Sequence, residues 1–98
     1  MDKKQAIELV KEYKRLLAEQ LPLIAVYMYG SYSKDTFTAD SDIDVAVIVE
    51  KTSDDFFHDT PMLWQIRRRV STLIEPVLLS SDSDDPLYKD VMTTGIAV

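Results

Sequence analysis

The chain has 98 residues, 46% of them apolar and 29% charged, which suits one small folded domain spanning residues 1–98. Seventeen acidic against eleven basic residues give a formal charge of -6, which disfavours any general grip on a nucleic-acid backbone. The absence of cysteine excludes disulfides, thiolate zinc sites and a cysteine nucleophile, and a lone histidine, His58, excludes a multi-histidine metal centre.

The opening MDKKQAIELVKEYK is charged throughout, unlike a signal peptide, and no apolar run approaches membrane-spanning length. The expected address is the cytoplasm. From Lys3 to Gln20, Ile7, Val10, Tyr13 and Leu17, continuing to Leu21, recur at steps of three and four, predicting an amphipathic helix that Pro22 helps to stop. Ile24 to Tyr29 (IAVYMY), closed by Gly30, reads as a buried strand. Residues 31–41, SYSKDTFTADS, are polar and turn-rich. Ile43 to Val49 (IDVAVIV) is apolar on both faces after Asp44 and predicts a central strand.

Residues 50–59 read as an acidic loop, and Thr60-Pro61 as the cap and first position of a helix through Met62, Ile66, Val70 and Leu73. Leu73 to Leu79 (LIEPVLL) predicts a third strand, whose internal proline places it at a sheet edge or at a bulge. Asp85-Pro86 repeats the cap signal for a last helix from Pro86 to Thr94, ending near Gly95. The expected architecture is α/β, a small mixed sheet with helices packed on it.

The connections bring chemistry together. A helix between the second and third strands makes them parallel, whereas the eleven-residue segment 31–41 is too short for a crossover helix and predicts an antiparallel pair. Gly30-Ser31, Asp42-Ile43-Asp44 and Glu75 then converge on one rim of the sheet. Asp42 and Asp44, two residues apart on a strand, face the same way. Paired carboxylates repel one another unless a cation lies between them, and an all-oxygen donor set suits Mg²⁺ or Mn²⁺. Gly30 admits a close backbone approach, and Ser31 adds a hydroxyl and an N–H suited to phosphate.

These residues resemble a family. YGSYSKDTFTADSDIDVAV, with the later IEPVLLS and DDPLYKDVMTTGIAV, is similar to the minimal nucleotidyltransferases of the DNA polymerase beta-like superfamily. That resemblance implies the polymerase beta-like fold and metal-dependent transfer of a nucleoside monophosphate, AMP from ATP, to an acceptor hydroxyl. It implies that Asp42, Asp44 and Glu75 are catalytic and hold two Mg²⁺ ions, with Mn²⁺ as the alternative. Gly30, Ser31, Lys34 and Ser41 would bind the nucleotide. Some minimal members are antitoxins that adenylylate HEPN-domain ribonuclease toxins, which implies a protein partner of that kind and a homo- or hetero-oligomer. The family commonly carries Arg-Gly where Lys34-Asp35 stands here; lysine still offers positive charge, and aspartate tolerates positive φ better than most residues.

Two other readings belong beside this one: a non-catalytic antitoxin that neutralises its toxin by contact, and nucleotidyl transfer to a small molecule or an RNA end. Arg67-Arg68-Arg69 is expected to be a solvated helix end favoured by the helix dipole. His58 is expected to be exposed or capping, Asp54-Asp55 and Asp82-Ser83-Asp84-Asp85 to be solvated loops and caps, and Phe56, Phe57, Trp64 and Tyr88 to be mainly core.

Overall fold

A computed structural model describes residues 1–50 and 59–98 fully and residues 56–58 in backbone only. Helix α1, Lys3–Ala18, starts with a capping box: the Asp2 carboxylate accepts from Gln5 N at 2.7 Å, and Gln5 Oε1 accepts from Asp2 N at 2.9 Å. Its inward stripe is Ala6, Val10, Tyr13, Leu16 and Leu17. Ile7 is only half-buried, so the face is rotated slightly from the one its large apolar residues suggest.

Strands β1, Leu23–Tyr29, and β2, Ile43–Val49, pair antiparallel, and β2 pairs parallel with β3, Ile74–Ser80. Both orientations follow from the lengths of the connections. Sheet order is β3-β2-β1-β4. The central place of β2 explains its continuous apolar run, and the edge place of β3 accommodates Pro76, whose missing N–H costs no second ladder.

Strand β4, Ile96–Ala97, is an addition to the predicted elements and pairs antiparallel with β1 through Tyr27 and Met28. Two residues carry no readable period, and Gly95 before them looks only like a helix stop. Helix α3, Pro86–Thr94, is capped as expected, with Asp85 accepting from Leu87 N at 2.8 Å and Pro86 in the first turn.

Helix α2 departs most from expectation. It spans Phe56–Arg67, so Thr60-Pro61 lies inside it rather than at its start. Pro61 is the sixth residue of the helix and cannot donate to the carbonyl of Phe57 one turn earlier, so α2 continues through it with one bond fewer. Residues 56–59 of the expected acidic loop are therefore helical; residues 51–55, Asp54 and Asp55 among them, lie outside the described residues, as do the side chains of Phe56, Phe57 and His58. Beyond Arg67 the chain unwinds through tight turns in which Arg69 N donates to Ile66 O and Val70 N to Arg67 O. Val70 and Leu73 thus pack on the core from a turn, not from the helix.

Alternation along the strands gives the sheet two faces. Val26, Met28, Val45, Val47, Ile74 and Leu78 meet α1 and α2 in the main core. Ala46, Ile48 and Leu79 meet Val91 of α3 in a smaller cluster bordered by Tyr27, Tyr29, Val77 and Tyr88. The side chains of Asp44 and Glu75 belong by parity to this second face.

Candidate active site

The ends of β1, β2 and β3 form one row. Tyr29 is the cross-strand partner of Asp44, and Asp44 is the partner of Glu75. Asp42 lies immediately before β2 and close enough to both acids to act on them electrostatically. The rim therefore carries three carboxylates, one each from β2 and β3 and one from the residue that leads into β2.

Gly30 ends β1 at φ +71, in the left-handed region that side chains rarely occupy. A Cβ added there would lie 2.3 Å from Asp44 Oδ2. Glycine is needed twice over: for the backbone turn, and for the space in which the Asp44 carboxylate sits.

The chain then makes one tight turn from Gly30 to Asp35. Lys34 N donates to Gly30 O at 3.0 Å and Thr36 N to Ser31 O at 3.0 Å, while Asp35 closes the turn at φ 59. Asp35 thus adopts the conformation that glycine favours, and its carboxylate accepts from Lys3 Nζ at 2.9 Å. The Lys34-Asp35 departure from the family pattern leaves the turn formed. Tyr32 is fully buried beneath it and stacks on Phe37, centroids 4.4 Å apart.

Electrostatic strain is concentrated on the acids. Burial, then the Asp42 charge, pushes the Asp44 carboxyl above its ordinary value. Glu75 is also pushed up, by desolvation first, then by Asp42 through charge and a hydrogen bond, and by Asp44; Arg67 opposes the shift. A hydrogen bond between two carboxyl groups requires a shared proton. Burial and the neighbouring Asp44, Glu75 and Asp90 raise the Tyr29 phenol to about 12.

Several residues sit differently from the sequence expectation. Ser41 is engaged locally, its hydroxyl accepting from Thr38 N at 2.7 Å, so its side chain is part of the loop. Lys34 Nζ lies 3.3 Å from Asp90 Oδ2, which brings α3 to the rim. Nothing in the sequence marks Asp90 beyond its place on a short helix after β3. Arg68 and Arg69 are exposed as expected, but Arg67 is half-buried: its Nη1 donates to Thr72 O at 2.5 Å and to Ile74 O at 3.2 Å. Trp64, 39% exposed, carries the Arg67 guanidinium on its ring face, and Tyr88 borders the smaller cluster half-buried.

The donor set fits a hard divalent cation: carboxylate oxygens only, with the upward shifts of Asp44 and Glu75 ones that a cation would relieve. Among the described residues no three acidic or histidine side chains are already drawn into one metal cage.

The profile of the family described as Polymerase beta, Nucleotidyltransferase matches residues 11–98. No curated protein matches the chain significantly. Among solved structures, it is similar to a candidate nucleotidyltransferase from Sulfolobus solfataricus, with 20% identity and a TM-score of 0.71, covering 97% of this chain and 80% of that one. It is similar to a toxin-antitoxin structure with AMP-PNP at 26% identity and a TM-score of 0.56, over 99% of this chain and 72% of that one. A mutant MntA-HpeT toxin-antitoxin structure shares 24% identity and a TM-score of 0.54, over 100% of this chain and 72% of that one.

Proposed function

Because the chain belongs to the polymerase beta nucleotidyltransferase family, we propose that it transfers AMP from ATP to a hydroxyl of a partner protein, as the antitoxin of a HEPN-type ribonuclease toxin. The observation that carries the reading is the Asp44 carboxylate seated against Gly30 Cα, beside Glu75 and Asp42. The structural likeness to a toxin-antitoxin with AMP-PNP supports the donor and the kind of partner.

In this reading residues 1–98 form a single minimal catalytic domain. Asp42, Asp44 and Glu75 would hold two Mg²⁺ ions, and such ions would supply positive charge to the oxygens of the transferred phosphoryl group. Gly30 and Ser31 contact the triphosphate, and Lys34 offers it a positive charge once released from Asp90. Glu75 accepts the proton of the acceptor hydroxyl. The acceptor oxygen bonds to the α-phosphorus, the bond from that phosphorus to the bridging oxygen breaks, and pyrophosphate leaves. Orientation of these groups by three adjacent strands supplies the proximity that such a displacement needs.

The test is incubation with Mg²⁺, ATP labelled at the α-phosphate and a HEPN-domain toxin, with the Asp42→Asn, Asp44→Asn variant as control. Label on the toxin with the wild type only is the expected result. A tight unlabelled complex with both proteins would instead establish a contact-only antitoxin.

A further inference from the structure

Arg67 ends α2, and its side-chain hydrogen bonds lead toward the start of β3. The carbonyls there alternate in direction along the strand. Leu73 O points to β2, where it accepts from Ile43 N at 2.7 Å. Thr72 O and Ile74 O point to the free edge, and Arg67 Nη1 donates to both. Residues 72–74 are therefore gripped from two sides, by β2 and by one guanidinium. The guanidinium is itself held, its Cζ 4.5 Å from the ring centroid of Trp64 one turn earlier in the helix.

Glu75 is the next residue. A slip of one position in the β2–β3 register would turn it to the opposite face of the sheet, away from Asp44. Burial of Ile74, Leu78 and Leu79 fixes the register along the strand and Pro76 leaves the pairing with β2 unbroken; the least supported part is the entry at residues 72–73, which precede the first pair at Ile74. We propose that Arg67 is a positioning residue of the acidic rim, clamping the first residues of β3 so that Glu75 stands opposite Asp44. The inference rests on the reading of that rim as a metal site. It separates Arg67 from Arg68 and Arg69, which are exposed and play no part in the clamp.

The test compares wild type, Arg67→Met and Arg67→Lys, each also in a Glu75→Gln background. Mn²⁺ affinity is measured by the paramagnetic resonance of free Mn²⁺, in the presence of a non-hydrolysable ATP analogue. Amide hydrogen exchange is followed at Ile43 and Ile74. Arg67→Met should weaken Mn²⁺ binding about tenfold, the scale of lost support behind a metal ligand, and should add nothing once Glu75 is glutamine. Exchange at Ile43 and Ile74 should quicken while Val26 and Val47 keep their protection. Arg67→Lys keeps the charge and donors but not the flat face over Trp64, and should fall between. If Arg67→Met fails to fold, Arg67→Lys carries the comparison, with the same direction expected.

Equal weakening with and without the Glu75 carboxylate would overturn the proposal, as would unchanged exchange at Ile43 and Ile74. If the wild type binds no Mn²⁺, the metal reading fails, and the exchange result alone decides whether the clamp exists.

Discussion

Gly30→Ala isolates the closest contact in the rim. Two costs are expected, and they are separable. A non-glycine residue at φ +71 is strained by about 1–2 kcal/mol. The new Cβ, 2.3 Å from Asp44 Oδ2, must displace that carboxylate, and overpacking of this kind costs about 1–3 kcal/mol. Together they amount to about 2–5 kcal/mol, so the melting temperature should fall by at least about 10 °C for a domain of this size. Urea denaturation of wild type, Gly30→Ala, Asp44→Ala and the double variant, all in chelator, completes a cycle. Removing the carboxylate leaves only the backbone strain, so a coupling of about 1–3 kcal/mol is predicted. A coupling below about 0.5 kcal/mol would refute the overpacking cost, the carboxylate then turning aside at little expense.

Other outcomes follow from the same geometry. Asp44 and Glu75 bind protons more tightly in the folded than in the unfolded chain, so metal-free stability should fall as pH rises from about 4, through the unfolded and then the raised folded pKa values. Asp44→Asn should flatten that slope in urea midpoints measured across pH; an unaltered slope would refute the assignment. Asp35→Val should lose about 1–2 kcal/mol because a β-branched residue resists φ 59, whereas Asp35→Asn should lose less, as thermal denaturation would show. Asp85→Ala should cost about 1 kcal/mol through the lost α3 cap while leaving nucleotide binding unchanged in a calorimetric titration.

Much of this arrangement is legible in the residues alone, because strand period and connection length are strong signals. IAVYMY and IDVAVIV declare their strands, and the short polar link between them dictates an antiparallel pair whose facing ends bring Gly30 to Asp44. Pro76 likewise announces an edge. What is hidden depends on packing between distant segments. Lys34 meets Asp90 only because α3 folds back over β1, and Arg67 looks like one of three equivalent arginines until the free edge of β3 is seen beside it. Thr60-Pro61 misleads for a local reason: a cap followed by proline has the same signature at a helix start as in a helix that already began at Phe56. Ser41 reads as part of the aspartate motif, and the bond its hydroxyl accepts from Thr38 N is a contact that the sequence does not reveal.

The most direct measurement is a calorimetric titration of the wild type and the Asp42→Asn, Asp44→Asn variant with a non-hydrolysable ATP analogue, with and without Mg²⁺. Wild-type binding is expected to depend on Mg²⁺ and to be lost in the variant while its fold persists. Equal binding by both proteins, or binding indifferent to Mg²⁺, would contradict a metal and nucleotide site built on these carboxylates.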